Sequence, residues 1–112
     1  MTEDGARVAL AVVSGSGLAV VPESLLVKEE ASYASLGWPA TGVAGHPNRL
    51  LTAQTPGGRT VMLAAGRPHV YEGWSEEELA RPVEELAGRG AGVLVLTCAV
   101  GGLTAQAEPG TV

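Results

Sequence analysis

The chain has 112 residues, 46% of them hydrophobic, with a formal net charge of −5 at pH 7. This length and hydrophobic content predict one folded domain, residues 1–112, and exclude a disordered chain. Lys28 is the only lysine and there is no Lys/Arg cluster, which excludes the usual pattern of a nucleic-acid-binding protein. An anionic ligand would therefore need a local site rather than a favourable net charge.

Cysteine use and the N-terminal sequence indicate the compartment. Cys98 is the single cysteine, so an intrachain disulfide is impossible, which fits a reducing environment. The acidic start, residues 1–7, precedes an apolar run at 8–13 that is too short for a signal-peptide core or a membrane span. We expect a soluble cytoplasmic protein that does not act at a membrane.

The first apolar run, residues 8–13, is continuous rather than alternating, which predicts a buried strand near residues 7–13. It leads into Ser14-Gly-Ser-Gly-Leu18, whose backbone N–H groups and hydroxyls could cradle an anion. No Gly-Lys-Ser/Thr follows and position 20 is valine, so neither a Walker A motif nor a dinucleotide fingerprint is present. A plain tight turn is the alternative interpretation of this loop.

The next segment predicts a hairpin. Residues 25–27 could form a short strand, and residues 32–45 read as a loop with Trp38 packed beneath it. The turn signal at residues 55–59 separates strands expected at 49–54 and 60–66, which should pair as an antiparallel hairpin.

The second hairpin strand leads into Gly66-Arg-Pro-His-Val-Tyr-Glu-Gly73. Arg67 carries a planar cation that matches phosphate or carboxylate, and His69 can carry a proton near neutral pH. If the segment is extended, Arg67, His69 and Tyr71 point to one side and could enter one cleft. The alternative is a solvated rim at a strand end.

The last third of the chain predicts a helix and a strand. Ser75 and Glu78 form a capping box, so a helix should lie within residues 75–89, with a kink or restart at Pro82. Residues 92–97 predict a second fully buried strand, which runs into the small-residue turn at 98–103. Together these elements predict an α/β fold with a mixed, partly parallel sheet flanked by helices.

Four of these motifs in this order resemble the trimeric purine nucleoside phosphorylases. They are Ser14-Gly-Ser-Gly-Leu18, Gly45-His-Pro-Asn-Arg-Leu50, the Gly66–Gly73 segment and Leu96-Thr-Cys-Ala-Val-Gly-Gly-Leu103. The related methylthioadenosine phosphorylases share much of the pattern, whereas Tyr71-Glu-Gly-Trp-Ser75 is more similar to the purine nucleoside branch. The resemblance covers roughly residues 8–110 and implies the N-terminal half of such an enzyme.

The resemblance implies cleavage of purine nucleosides by inorganic phosphate, which gives a free base and ribose 1-phosphate without a cofactor or metal. It places phosphate against Ser16, His46, Arg67, His69 and the backbone N–H of Ala99, with His69 the predicted catalytic residue. It further implies that Tyr71 contacts the ribose and that Val100 and Gly101 line the base side. Glu72, three residues after His69, would orient that imidazole.

The chain also departs from the family pattern. The glutamate and asparagine that recognise the purine lie in a C-terminal half that this chain lacks, and Cys98 and Val100 stand where asparagine and alanine are usual. Two functions therefore remain open: a phosphorylase half that needs a C-terminal partner, or a non-catalytic anion-binding or assembly module. A reading frame just downstream that encodes the missing half would favour the first. Continuous apolar strands need other elements packed on both faces, and this chain offers few helices to provide them. We therefore also expect a homo-oligomer, as in the trimeric family.

Overall fold

The computed structural model describes residues 7–15, 21–44, 46–99 and 101–111. Within these ranges the chain forms one sheet of five strands, two α-helices and one 3-10 turn. In chain order the elements are β1 (Val8–Ser14), β2 (Leu26–Ser32), α1 (Tyr33–Leu36), β3 (Arg49–Gln54), β4 (Thr60–Ala65), the 3-10 turn Val70–Glu72, α2 (Glu76–Gly88) and β5 (Val93–Leu96). The predicted α/β class is confirmed.

The sheet is mixed, as the sequence predicts. Its strand order is β2-β3-β4-β1-β5, in which β1 runs parallel to β4 and β5, whereas β3 is antiparallel to β2 and β4. The predicted hairpin is confirmed, with Arg49 opposite Ala65 and Gln54 opposite Thr60. Hydrogen bonds from Thr55 N to Arg59 O and from Gly58 N to Thr55 O, both 2.9 Å, close its turn.

The parallel strands end together at one edge of the sheet. Ser14, the last residue of β1, lies opposite Ala65 at the end of β4, and Val13 lies opposite Leu96 at the end of β5. Loops that follow parallel strands build ligand crevices at this edge. The three segments singled out in the sequence as strand ends therefore leave the sheet side by side.

Helix α2 begins at the predicted capping box. Ser75 Oγ accepts a hydrogen bond from Glu78 N at 3.1 Å, and Ser75 N donates to Glu78 Oε1 at 3.3 Å. Leu86 on this helix is fully buried, because it packs into the core of the sheet. Of the two alternatives predicted at Pro82, a kink or a restart, the restart does not occur, because the helix is continuous through this residue. The core cluster consists of Val8, Ala11, Val13, Tyr33, Trp38, Leu50, Met62, Ala64 and Leu86.

The loop prediction for residues 32–45 is partly wrong. Strand β2 extends to Ser32, whose side chain accepts from Ser35 N at 3.2 Å and caps the short helix α1. Gly37 ends that helix in the left-handed region at φ 69°. The packing role of Trp38 is confirmed, since its ring is buried and its Nε1 donates to the carboxylate of Glu85 on α2.

Strand β5 differs from the prediction of a fully buried strand. Val93, Val95 and Leu96 are 56%, 40% and 49% exposed, because β5 pairs with β1 on one side and forms an edge of the described sheet. The opposite edge, β2, carries Lys28, Glu29 and Glu30, charges that discourage pairing with another chain. Strand β5 carries no such charge.

None of the helices in the described part of the chain combines the length and the apolar character that crossing a bilayer requires.

We expect Leu86→Ala to lower the free energy of unfolding by about 2–5 kcal/mol, because it leaves a cavity where α2 meets the sheet. Urea unfolding followed by circular dichroism measures this change. Glu84→Ala, an exposed substitution on the same helix, is the matched control and should stay within about 0.5 kcal/mol of the parent chain. A Leu86→Ala effect as small as the control would contradict the packing described above.

We also expect the isolated chain to self-associate through the apolar edge of β5. Light scattering at micromolar concentration should show an oligomer, and Val95→Lys should shift it toward the monomer because a charge at an edge strand opposes pairing. Thr104→Lys, which adds the same charge at an exposed position, controls for net charge. A clean monomer for the parent chain would refute this expectation.

Candidate functional site

A cavity of about 340 Å³ lies between α2 and the carboxyl ends of the parallel strands. Its walls combine an apolar helix face with the loops that follow β4 and β5. The lining residues are Val13, Gly66, Arg67, Pro68, His69, Val70, Leu79, Pro82, Val83, Leu96, Cys98 and Ala99. The structure therefore brings Arg67, His69 and Ala99, three of the predicted phosphate contacts, to one place.

Gly66 turns the chain from β4 into this cavity. Its φ of 144° is unfavourable for a side chain, and a Cβ there would lie 2.8 Å from Asn48 Oδ1 and 3.2 Å from Tyr33 Cε2. The carbonyl of Gly66 accepts a 2.6 Å hydrogen bond from the buried hydroxyl of Tyr33, whose pKa is raised by burial. This hydrogen bond fixes the backbone at the end of β4 against the core, and it thereby fixes the start of the loop that carries Arg67.

Arg67 connects two of the converging strand ends. Its side chain is half-buried, and Nη1 donates to the carbonyl of Thr97 at 3.3 Å. Thr97 Oγ1 in turn accepts from Gly15 N at 2.8 Å and donates to Val13 O at 3.3 Å. A Cβ on Gly15 would approach Thr97 O to 2.6 Å, so the close approach of β1 to the residue after β5 requires glycine.

His69, which lines the cavity, forms a close pair with Glu72. His69 Nδ1 lies 2.9 Å from Glu72 Oε1, and His69 N donates to the same oxygen at 2.9 Å. The side chains are 34% and 15% exposed, so the pair is shielded on the glutamate side and open on the histidine side. Glu72 thus occupies Nδ1 and leaves Nε2 of the imidazole for a ligand, as expected from its position three residues later.

The Glu72 carboxylate is held by more than the histidine. Gly42 N donates to Oε2 at 2.8 Å and Thr41 Oγ1 donates to Oε1 at 2.7 Å. These donors, with the Gly42 N–H contributing most and the His69 ring next, lower the pKa of Glu72 to about 2. The carboxylate is therefore ionised throughout the physiological range.

His46 and Tyr71 lie beside His69 rather than in the cavity wall. The rings of His46 and His69 meet edge to face with centroids 6.4 Å apart, and His46 Nδ1 accepts from Arg67 N at 3.3 Å. The Tyr71 ring stacks on His69 at 4.8 Å with its surface 78% exposed.

The condition that the 66–73 segment be extended is not met over its whole length, because residues 70–72 form a 3-10 turn. Arg67 and His69 still line one cavity, whereas Tyr71 lies at its rim on the His69 ring.

The remaining predicted residues are placed as follows. Ser16 and Val100 lie outside the described residues, so their predicted contacts keep the status of predictions. Gly101 is exposed and is not part of the cavity wall, and Cys98 is a free, exposed thiol in that wall. In residues 7–15, 21–44, 46–99 and 101–111, no three His, Cys, Asp or Glu side chains group as metal ligands.

Among the residues that bear on the site, Thr41 and Thr97 were missed from the sequence. Thr41 and Thr97 supply the hydroxyls that fix Glu72 and the β1–β5 junction, respectively. Thr97 could have been noticed as the first polar residue after an apolar strand, whereas Thr41 sits in a segment without any distinguishing pattern. The assembled site can hold an anion by a guanidinium, an imidazole and loop N–H groups, with an ionised carboxylate behind the imidazole.

The chain is similar in sequence and in fold to known purine nucleoside phosphorylases. Purine nucleoside phosphorylase 1 of Geobacillus stearothermophilus is 32% identical over 102 residues, which are 90% of this chain and 37% of that protein. A crystal structure of Schistosoma mansoni purine nucleoside phosphorylase matches with a TM-score of 0.70 at 30% identity, over 92% of this chain and 37% of that one. Isoform 2 from the same organism, in complex with cytosine and ribose-1-phosphate, matches with a TM-score of 0.67 at 32% identity, over 88% and 35%.

No protein-family model matches the chain. The chain spans about 37% of the length of the curated relatives it matches. The predicted resemblance to the purine nucleoside phosphorylases is confirmed, and it extends over part of the length of such a protein.

The low pKa of Glu72 predicts a specific pH dependence of stability. A carboxyl group whose pKa falls from 4.5 in its ordinary state to about 2 in the fold stabilises the fold above about pH 4.5 and loses that contribution as pH falls toward 2. Glu72→Gln should therefore be less stable than the parent chain at pH 7, with the difference shrinking between pH 5 and pH 3. Urea midpoints of both proteins across this range test the prediction, and a difference that does not change with pH would contradict it.

Proposed function

We propose that this chain supplies the phosphate-binding part of a purine nucleoside phosphorylase. The reaction converts a purine nucleoside and inorganic phosphate into a purine base and ribose 1-phosphate. The observation that carries the proposal is the convergence of Arg67, His69 and Ala99 on one cavity at the carboxyl ends of parallel strands. These residues come from two separate loops, so their convergence requires the fold and not only sequence proximity.

The cavity has the chemistry that phosphorolysis needs. Cleavage of a glycosidic bond builds positive charge on the sugar, and a phosphate held next to the anomeric carbon stabilises that charge and then bonds to the carbon. Arg67 would provide the fixed cation and His69 Nε2 a second polar contact, while Glu72 holds the other ring nitrogen. The N–H of Ala99 and the hydroxyl of Ser16 complete the proposed phosphate contacts, and His46 would close over them.

The ribose would lie at the open side of this cavity. Tyr71 stacks on His69 with most of its ring exposed, which leaves it accessible to a sugar placed above the phosphate. The solved relative that holds ribose-1-phosphate supports this reading, since that molecule joins the two groups that the cavity would bind. Val100 and Gly101, on the loop after β5, are the proposed neighbours of the base.

Recognition of the purine needs residues beyond these 112. By the resemblance, they belong to the larger part of the relatives that this chain does not match. We propose that this part, joined to the chain or separate from it, completes the active site.

The direct test of the anion site is calorimetric titration of inorganic phosphate. Arg67→Ala should weaken binding by about 10-fold to 150-fold, because a hydrogen bond to a charged group contributes roughly 1.5–3 kcal/mol. Ser16→Ala should weaken it by only about 2-fold to 12-fold, since a neutral donor contributes roughly 0.5–1.5 kcal/mol. Arg59→Ala, which removes the same charge at the exposed hairpin turn, is the matched control and should bind as the parent chain does.

Two outcomes would overturn this site. One is equal phosphate affinity in Arg67→Ala and the parent chain, and the other is equal weakening by Arg59→Ala, which would show a response to net charge alone.

Inosine phosphorolysis by the isolated chain separates phosphate binding from catalysis. We expect phosphate binding without turnover above background, because the residues proposed to bind and protonate the purine are not among these 112. Release of hypoxanthine, followed by absorbance in a coupled assay, measures the turnover. Turnover lost in Arg67→Ala would show that the chain is a complete catalyst and that the proposed division of roles is wrong.

A further inference from the structure

Asn48 has a left-handed backbone conformation, which is uncommon for a residue other than glycine. Its φ is 55°, the one positive value outside glycine in the described part of the chain. Asparagine tolerates the left-handed region better than most residues, so the conformation alone would explain an asparagine here. The hydrogen bonds of its side chain point to a second role.

All four polar groups of Asn48 are engaged. Its N–H donates to Ala65 O at 2.7 Å and its carbonyl accepts from Tyr33 N at 2.8 Å, which joins β4 and α1 at the start of β3. Its side-chain amide pairs with both backbone groups of Thr41: Thr41 N donates to Oδ1 at 2.9 Å, and Nδ2 donates to Thr41 O at 2.9 Å. The amide thus pairs with the N–H and the carbonyl of Thr41 in the way that the backbone of a neighbouring β-strand would.

Thr41 leads directly to the candidate site. Its hydroxyl donates to Glu72 Oε1 at 2.7 Å, and the next residue, Gly42, donates from its N–H to Glu72 Oε2 at 2.8 Å. Glu72 Oε1 then meets both the backbone N–H and Nδ1 of His69 at 2.9 Å. Each link is a short hydrogen bond between named atoms, so the position of Thr41 sets the carboxylate and the carboxylate sets the ring.

We infer that Asn48 is a positioning residue that orients the His69 imidazole through Thr41 and Glu72. Asn48 lies in the Gly45-His-Pro-Asn-Arg-Leu50 motif, but the resemblance assigns this residue no role. The inference deepens the proposed function, since the value of a fixed His69 ring rests on the proposed phosphate contact. The orientation of the ring is itself a property of the unliganded chain and can be measured without phosphate.

Two substitutions separate the amide from the backbone conformation. Asn48→Gly keeps the positive φ without strain and removes the amide, whereas Asn48→Asp keeps the size and the acceptor for Thr41 N but sets an oxygen against Thr41 O. If Asn48 acts only through its backbone, both variants behave as the parent chain does. If the amide positions the site, both perturb His69, and Asn48→Asp does so at least as strongly. Gln54→Ala, which removes an amide at the far end of β3, is the matched control.

The first readout is the pair of ring ¹⁵N chemical shifts of His69, assigned with a His69→Gln spectrum because the chain has two histidines. In the parent chain at pH 8 we expect one tautomer, with the proton on Nδ1 toward Glu72. In Asn48→Gly and Asn48→Asp the shifts should move toward the tautomer average of an exposed histidine. Circular dichroism should show the parent fold in all variants, and Gln54→Ala should leave the His69 shifts unchanged.

The second readout is phosphate affinity, which we expect to fall about 3-fold to 10-fold in Asn48→Gly, in line with the loss of neutral hydrogen bonds. In a Glu72→Gln background the same substitution should change affinity less than 2-fold, because residues that act through one network are not additive. Parent-like His69 shifts and affinity in Asn48→Gly would overturn this inference and leave the proposed function standing. If the parent chain binds no phosphate, the proposed function fails, while the His69 shifts still decide the role of Asn48.

Discussion

The parallel register of β1, β4 and β5 is the constraint on which the site depends. Because these strands run in one direction, their carboxyl ends meet at one edge, and the loops after Ser14, Ala65 and Leu96 leave the sheet together. Arg67 on one loop can then reach Thr97 on another. The antiparallel hairpin contributes by delivering β4 to the middle of the sheet, where both of its neighbours fix its position.

The second constraint is electrostatic. An acidic chain that is to bind an anion must keep its own carboxylates from repelling the ligand, and Glu72 lies only 2.9 Å from the ring of His69. Its charge is directed toward the N–H of Gly42, the hydroxyl of Thr41 and the imidazole, which together explain its lowered pKa. Hydrogen-bond donors therefore surround the Glu72 carboxylate, and Arg67 adds its positive charge to the wall of the cavity.

The sequence predicted the elements with strong local signals. The apolar runs, the hairpin turn and the Ser75 capping box placed four strands and helix α2 within one residue of their observed ends. The sequence did not predict most of β2, because the stretch Lys28-Glu-Glu30 lacks the apolar pattern of a strand and is held in the sheet by pairing with β3. It also did not predict the exposure of β5, since an apolar run shows that a strand suits burial and not whether neighbouring strands are present.

The residues of the candidate site also fall into two groups, those that a local motif predicts and those that only the tertiary structure reveals. Arg67, His69 and Glu72 were found because they lie within six residues and match a family motif, whereas the role of Thr41 depends on a contact across 31 residues of chain. Asn48 is similar, because its amide acts through backbone groups that no sequence pattern identifies. Contacts of this kind are set by tertiary packing and become visible only in the structure.

The exposed edge of β5 adjoins the cavity. Leu96 is 49% exposed on that edge and also forms part of the cavity wall, next to the loop that carries Cys98 and Ala99. A polypeptide that covers β5 would therefore also narrow the cavity and exclude water from it, which strengthens electrostatic contacts to a bound anion. The opposite edge, with its charged β2, lies three strands away from β1 and cannot have this effect. Burial of β5 and the proposed binding of phosphate should accordingly be coupled, since Leu96 belongs both to the exposed edge and to the cavity wall.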